Sequence, residues 1–389
     1  MFSVFGALRK SFTRFALLSL GLLLAACAST GPGGPSINTS KPVPVALLVP
    51  GGSPNPGDEV LARSLENAAR LAMADLDGVT IDLRVYNTAG QAGQAAEAAR
   101  QAVNDGARII LGPVFAEAAN AAGVAVAARG INVLAFSNNT AIAGNNVFVL
   151  GPTFQNTANR LVSYAVSQGK GSFMVVYGED PAETVGRDAI LAAIGRAGGT
   201  LAGTASFEVT QEGVINAVRD IATATQESGA QSLFLTSGTS GALPFLAQLL
   251  PENGLGPETI QYIGLQRWDI PATALTLPGL QGGWFALPDP DLNNRFKARY
   301  EEAYGTPPHP IAGLAYDGIA AIGALVRAGK SDALTRRALT QAAGFAGVNG
   351  VFRLLPDGTN ERGLAVAQIQ DNQVIVIDPA PRSFGGTGF

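Results

Sequence analysis

ARIILGPVFAEAANAAGVAVAARGINVLAFSNNT, residues 107–140, contains a complete strand–helix–strand unit. The short apolar stretch from Arg108 to Leu111 predicts a buried strand. The alanine-rich stretch from Phe115 to Ala128 is long enough for a helix, and Ile131 to Phe136 predicts the next strand. A helix between two such strands is typical of a βαβ unit, in which the strands run parallel in one sheet.

The same alternation extends on both sides of this unit. Val43 to Val49 predicts a strand, Asp58 to Leu76 an amphipathic helix, and Thr80 to Tyr86 another strand. The pattern restarts at Phe154 and continues to Gly264, which predicts a second sheet. The expected fold class is therefore α/β, with two doubly wound parallel-sheet lobes joined by a hinge.

The domain boundaries are predicted from where this pattern restarts and returns. Leu280 to Ala286 is predicted to be a strand that returns to the first lobe, and helices are expected over 293–303 and 311–328. Leu364 to Gln370 and Gln373 to Ile377 are expected to form an antiparallel pair on the second lobe. We assign the parts of the chain as follows: lobe 1, 43–150 plus 280–345; lobe 2, 151–279 plus 346–380; a tail, 381–389.

The first 42 residues indicate export. Residues 1–26 combine three basic residues with a 12-residue apolar run, 15–26, which is too short to span a bilayer and fits a signal peptide. Cys27 follows small residues as in the bacterial lipobox, and this resemblance implies cleavage before Cys27 and acylation of its thiol. An ordinary signal peptide with an incidental cysteine is the alternative. Residues 27–42 are small and Gly/Pro/Ser-rich, which predicts a lipidated flexible tether.

The composition argues against several classes of function. The formal net charge is −4 and the pI about 5.2, so no basic surplus is available to neutralise nucleic-acid phosphates. One cysteine and one histidine cannot form a disulfide within the chain or supply the ligands of a zinc site. No dinucleotide-binding glycine motif follows a predicted strand. We therefore expect no cofactor, no metal and no nucleic-acid partner.

Patterns that suggest catalysis are weak. Ser167–Lys170 matches the S-x-x-K of penicillin-binding enzymes, but the partner motifs S-D-N and K-T-G are absent. Gly329–Ser331 resembles the end of a phosphate loop, but Ala324 stands where the first glycine is required. His309 lies between two prolines, which favours a structural or solvated loop residue over the base of a triad. These observations favour a binding protein over an enzyme.

Three stretches of the chain resemble the type 1 periplasmic binding proteins, the superfamily of the leucine/isoleucine/valine-binding proteins. The stretches are VALLVPGGSP (45–54), residues 107–140 and PDLNNRFKARYEEAYGTPPHPIAGLAYDGIAAIGALVRAG (290–329). The resemblance covers residue 43 to about residue 380. Within the superfamily, GPVFAEAANAAGVAVAARGINVLAFSNN (112–139) most resembles the penicillin-binding protein activators, which are outer-membrane lipoproteins that bind peptidoglycan synthases.

In this kind of fold, ligands bind in the groove at the carboxyl ends of the strands. The candidate cleft residues therefore lie in loops after predicted strands: Ser53, Phe115, Ser137, Asn138, Asn139, Tyr177, Glu179, Asp180, Gln266, Trp268 and Asp269. Residues 137–139 would supply hydroxyl and amide groups, but they also fit a turn or a helix cap. Glu179 and Asp180 also fit the start of the next helix. Tyr177 and Trp268 would supply flat walls, and a packed hinge residue is the alternative for Trp268.

Two binding functions compete. The resemblance implies that amino-acid receptors place small hydroxylated residues after the GP turn, whereas Val114–Glu117 supplies a ring and an acid here. This departure favours a lipoprotein that regulates peptidoglycan synthases, held by Cys27 at the periplasmic face of the outer membrane. The alternative is a receptor of an ABC importer that binds an amino acid or a related small polar solute between the lobes.

Overall fold

The computed structural model describes residues 34–385 of the chain. The predicted signal peptide, Cys27 and the first part of the predicted tether lie outside the described residues, as do residues 386–389. None of the helices within residues 34–385 is both long and apolar enough to cross a membrane.

The first sheet consists of five parallel strands in the order β2–β1–β3–β4–β5. These strands are β1 (Val43–Val49), β2 (Ile81–Asn87), β3 (Ile109–Leu111), β4 (Val133–Ala135) and β5 (Val147–Val149). Except for β2 at the edge, nearly every residue of these strands is buried. Apolar strands buried on both faces are what a parallel sheet covered by helices on both sides requires.

The second sheet contains seven strands in the order β15–β14–β10–β9–β8–β6–β7. Its parallel part repeats the strand order of the first sheet, and β14 and β15 add the predicted antiparallel pair. The strands are β6 (Ser172–Gly178), β7 (Thr200–Phe207), β8 (Ser232–Leu235), β9 (Gln261–Gly264), β10 (Trp284–Leu287), β14 (Ala365–Gln370) and β15 (Gln373–Asp378). A separate antiparallel sheet is formed by β11 (Phe345–Gly347), β12 (Gly350–Leu354) and β13 (Asn360–Arg362).

Helices connect the strands of both sheets. They are α1 (Pro56–Ala74), α2 (Ala92–Asn104), α3 (Ala116–Val126), α4 (Phe154–Ser167), α5 (Pro181–Ala197), α6 (Gln211–Ser228), α7 (Leu243–Glu252), α8 (Pro290–Tyr304), α9 (Gly313–Arg327) and α10 (Arg336–Leu339). Side chains fix several first turns. Thr153 and Asn156 form a capping box at α4, and Asp289 accepts hydrogen bonds from the first backbone N–H groups of α8.

Alternate residues of β1 face opposite sides of the first sheet and pack into two different cores, each covered by its own layer of helices. Val45 and Leu47 belong to the core that α1, α8 and α9 cover. Ala46 and Leu48 belong to the core that the alanine-rich α2 and α3 cover. The second sheet is likewise covered on both faces, by α4 and α5 on one and by α6 and α7 on the other. The predicted α/β fold with two doubly wound lobes is confirmed.

The predicted boundaries are wrong at two places. Leu280 to Ala286 was expected to return to the first lobe, but β10 lies in the second sheet between β9 and β14. The chain crosses back to the first lobe only after Leu287. The reason is that β10 is the fifth parallel strand of the second sheet and occupies the position that β5 has in the first sheet. Phe345, Phe352 and Leu354 pack in the first-lobe core, so most of 346–362 belongs with lobe 1 rather than lobe 2.

Three segments cross between the lobes: 150–153, 288–289 and 363–364. Hydrogen bonds tie the first crossing to the third. Asn360 Nδ2 donates to the carbonyl oxygens of Val149 (2.8 Å) and Gly151 (2.9 Å), and Arg362 Nε donates to that of Leu150 (2.9 Å). Arg362 also forms a buried ion pair with Asp317 of α9, so Asp317 stabilises the hinge. The first and third crossing segments are therefore joined by hydrogen bonds at the hinge.

Candidate functional site

Each sheet has a point at which the strand order reverses, between β1 and β3 in the first lobe and between β6 and β8 in the second. The loops after strands at such a point diverge and leave a crevice, which is where doubly wound sheets bind ligands. Two pockets lie between loops of both lobes, so the structure offers two places for a ligand at this boundary.

The larger interlobe pocket has a volume of about 690 Å³. The first lobe contributes Asn138, Asn139 and Thr140 from the loop after β4. The second lobe contributes the first two turns of α5 and the start of α4; the lining residues are Thr153, Phe154, Gln155, Pro181, Ala182, Val185, Asp188 and Ala189. Two predicted cleft residues of the first lobe thus lie beside the helix that Asp180 begins.

The smaller interlobe pocket, of about 280 Å³, lies beside the hinge. Gln266, Arg267 and Ile270 follow β9 and form its second-lobe wall. Ile311 and Leu314 of the first lobe form part of the opposite wall, and all three crossing regions contribute lining residues. Gln266 is the predicted cleft residue that lines this pocket, and its side-chain amide donates to the carbonyl oxygen of Thr236 at 2.9 Å.

The other first-lobe candidates serve mainly to shape their loops. Ser53 Oγ accepts from the backbone N–H of Asn55 (3.2 Å), and Ser137 Oγ accepts from that of Asn139 (3.1 Å). The Asn139 side chain in turn caps a short 3₁₀ turn. The turn and cap interpretation of 137–139 therefore holds, and Asn138 and Asn139 line the larger pocket as well.

Phe115 lies at the start of α3 and covers the loop after β2. Its ring is partly exposed and packs over Gly90, where an added Cβ would lie 2.9 Å from Cε2 of the ring. Gly90 also has a φ of +70°, a backbone conformation that favours glycine. Phe115 thus shields the first-lobe loops, and neither interlobe pocket includes it among its lining residues.

The candidates after β6 are held by neighbours within the second lobe. Arg187 stacks over the ring of Tyr177 at 4.8 Å, and Glu179 accepts from Ser206 Oγ at 2.7 Å. Asp180 accepts from the backbone N–H groups of Ala182 (2.7 Å) and Glu183 (3.0 Å). The interpretation of Asp180 as the start of a helix is therefore confirmed.

Trp268 lines neither interlobe pocket, and its prediction as a ligand wall is wrong because its side chain is buried. The side chain is completely buried in the second-lobe core, with its ring 6.2 Å from that of Phe285. Glycines make room for it, because a Cβ at Gly264 or Gly283 would lie within 2.5 Å of the indole. The alternative of a packed residue holds. Asp269 accepts from Arg267 Nε at 2.8 Å, so its carboxylate is already paired.

Glu183 is a functional candidate that the sequence analysis missed. Its buried carboxylate accepts from the backbone N–H of Gly178 (2.6 Å), Thr236 Oγ1 (2.7 Å) and Ser237 Oγ (2.8 Å). It thereby joins the loops after β6 and β8 at the point where the strand order reverses. A glutamate three residues after the helix cap Asp180 was a signal for such a role, since that position commonly reaches back to the preceding loop.

The interlobe pockets combine apolar surface with a few polar groups. Val185 in the larger pocket and Ile270 in the smaller one are both exposed, although apolar side chains of this size favour burial. The amides of Asn138, Asn139 and Gln266 provide donors and acceptors beside them. This arrangement suits a small organic solute with an apolar part, and residues 34–385 contain no cluster of ligating side chains suited to a metal.

A family model described as "Periplasmic binding protein" matches residues 42–373. The chain belongs to the periplasmic binding protein family. The match covers both lobes and the hinge of this periplasmic binding protein, and membership implies a periplasmic location. Among curated proteins, no relative matches the chain.

Solved structures with the same fold include proteins described as parts of ABC transporters. A putative branched-chain amino acid ABC transporter protein from Rhodospirillum rubrum is 20% identical, with a TM-score of 0.73 over 87% of this chain and 100% of its own. A substrate-binding protein from Desulfitobacterium hafniense in complex with Leu is 17% identical, with a TM-score of 0.64 over 87% and 100%. A solute-binding protein from R. palustris in complex with benzoate is 17% identical, with a TM-score of 0.57 over 90% and 99%. At these identities the likeness establishes the fold of this periplasmic binding protein.

Proposed function

We propose that this periplasmic binding protein is a solute receptor that captures a small organic solute between its lobes. The observation that carries the proposal is the larger pocket, because residues 138–140 of one lobe and α5 of the other line it together. A solute held by both lobes favours the arrangement in which they approach each other, so binding is coupled to closure at the hinge.

The lining of the two pockets defines the class of solute. Apolar walls at Phe154, Val185 and Ile270 favour an aliphatic or aromatic body, and the neighbouring amides favour one polar group on it. The leucine and benzoate bound by two proteins of the same fold are small molecules of this kind. We therefore favour the receptor of an ABC importer over the synthase regulator that the sequence analysis preferred.

The proposal is tested first by identifying what the protein carries. The full chain is purified from the envelope without a refolding step, denatured, and the released small molecules are identified by mass spectrometry. We expect a solute with an apolar body in near-stoichiometric amount. Isothermal titration calorimetry with leucine, benzoate and the released solute then measures affinity. A purified protein that releases nothing and binds none of a panel of amino and aromatic acids contradicts the proposal.

Variants then locate the bound solute. Val185→Arg introduces a charge and bulk into the larger pocket from an exposed helix position, so we expect at least tenfold weaker binding with little change in stability. Asn138→Ala should weaken binding less, by the loss of one polar contact. Asn120→Ala is the matched control, because Asn120 is exposed on α3 and lines neither pocket. Equal affinity in all three variants would exclude the larger pocket.

The attachment of the receptor to the envelope is a separate proposal. The lipobox resemblance at Cys27 supports acylation and a tether that ends near residue 42, and the outer membrane remains the proposed destination. Mass spectrometry of the mature N-terminal peptide should show a diacylglyceryl group on Cys27, and Cys27→Ser should release the protein into the soluble periplasmic fraction. An unmodified cysteine in the mature chain contradicts the anchor.

Regulation of peptidoglycan synthases is the second candidate function. It is favoured by the resemblance of residues 112–139 to the penicillin-binding protein activators and by Phe115, which stands after the GP turn where the resemblance implies small hydroxylated residues in amino-acid receptors. This candidate predicts that a synthase copurifies with the anchored protein after cross-linking and that no solute is released on denaturation. In both candidates the protein acts by binding, and we propose no catalytic residue.

A further inference from the structure

A third pocket lies on the outer side of the first lobe and shares no lining residue with the two interlobe pockets. It is a groove of about 460 Å³, within the range of sites that hold small molecules. The walls come from α8 and α9, and the last turn of α1 and the region of β11 complete it. Because four elements surround the groove, it fits a compact ligand better than an extended chain.

Residue spacing on α8 and α9 explains why the groove exists. Tyr316, Ala320 and Ala324 follow each other at intervals of four on one face of α9, and the two alanines leave space beside the helix. Leu292 and Phe296 form the facing wall on α8 at the same interval. Apolar side chains and small residues therefore make up the floor and both walls.

Positive charge dominates the rim of this groove. Three arginines and one aspartate are the charged residues that line the groove, and together they give it a net charge of +2. The whole chain, in contrast, has a formal net charge of −4. Arg299 is occupied, because its guanidinium donates to both carboxylate oxygens of Asp75 at 2.9 and 2.7 Å. Arg295 and Arg327 are exposed and form no ion pair within residues 34–385, and Arg295 Nε donates a hydrogen bond to the backbone carbonyl oxygen of Asp291 at 3.2 Å.

We propose that this groove is a second binding site for a small carboxylate with an aromatic or aliphatic body. Arg295 and Arg327 would hold the carboxylate, since guanidinium groups match its geometry. The body would lie on Ala320, Ala324 and Phe296. The site is independent of the interlobe pockets, so it would bind its ligand whether or not a solute is held between the lobes.

Calorimetric titration of the full chain with 4-phenylbutyrate tests the charge requirement, and 4-phenylbutanamide is the uncharged control. We expect saturable binding of the acid and at least tenfold weaker binding of the amide. Equal affinity for acid and amide overturns the proposal, as does the absence of saturable binding of both 4-phenylbutyrate and hexanoate.

Variants then distinguish this groove from the interlobe pockets. Arg295→Gln combined with Arg327→Gln should weaken 4-phenylbutyrate binding about tenfold or more, and Ala324→Leu should do so by filling the groove. Arg219→Gln, an exposed arginine on α6, and Val185→Arg in the larger interlobe pocket should leave it unchanged. The opposite pattern, with loss only in Val185→Arg, places the acid between the lobes and overturns the proposal.

Discussion

Replacement of Asp317 by alanine should destabilise the whole protein, because Asp317 is the buried partner of a hinge arginine. Its carboxylate accepts from Arg362 (3.0 Å), from the Asn349 amide (3.1 Å) and from the backbone N–H of Val348 (2.8 Å). The side chains of the ion pair are 0% and 2% exposed. Asp317→Ala therefore leaves a buried guanidinium without its countercharge, and such a loss costs about 3–5 kcal/mol.

The assay is urea unfolding followed by circular dichroism, with thermal unfolding beside it. At about 1.4 °C per kcal/mol for a protein of this length, the expected loss lowers the melting temperature by roughly 5 °C. Glu97→Ala is the control, since it breaks an exposed ion pair with Arg100 that contributes less than about 1 kcal/mol. Combining Asp317→Ala with Arg362→Met should recover part of the stability, because the unpaired charge is then removed. A loss below about 1 kcal/mol for Asp317→Ala would refute the reasoning.

Three further predictions concern single side chains. Burial lowers the pKa of His309 in the folded protein below its ordinary value of 6.5. Just below pH 6.5 the unfolded chain therefore binds more protons than the folded protein does. The free energy of unfolding should consequently fall on acidification from about pH 6.5. His309→Gln should flatten this slope in a pH series of urea unfolding; an unchanged slope contradicts the assignment. Trp268→Ala should cost about 3–5 kcal/mol by opening a cavity, and a neutral effect in urea unfolding would mean that the indole is not packed. Asp180→Ala should cost about 1 kcal/mol by removing the cap of α5, whereas Asp180→Asn should lose much less in the same assay.

Periodicity and length were enough to predict the architecture. Short apolar strands alternate with helices, and the restart at Phe154 coincides with the first crossing between the lobes. The sheet to which β10 belongs could not be predicted, because Trp284–Leu287 is a short apolar stretch that would be buried equally well in either sheet. Only its pairing with β9 and β14 decides the matter.

The site was predictable only in part. Strand ends indicated where a ligand groove would lie, and Asn138, Asn139 and Gln266 do line interlobe pockets. Trp268 was misplaced because its burial depends on two glycines, Gly264 at the end of β9 and Gly283 before β10, whose lack of a side chain creates the space. Such complementarity arises from the packing of two neighbouring strands, and a single glycine four residues before a tryptophan does not by itself predict it.

Because the chain crosses three times between the lobes, neither lobe is complete until late in the sequence, which affects folding as the chain emerges into the periplasm. The first five strands come early in the chain, but α8 and α9, which cover one of their faces together with α1, follow the strand β10 of the other lobe. A nascent chain that has reached Leu287 has all the parallel strands of both sheets, yet only α1 covers that face of the first sheet, and the apolar surface that α8 and α9 would bury is still exposed. Premature termination near this point should therefore yield a product that aggregates, rather than an isolated working half.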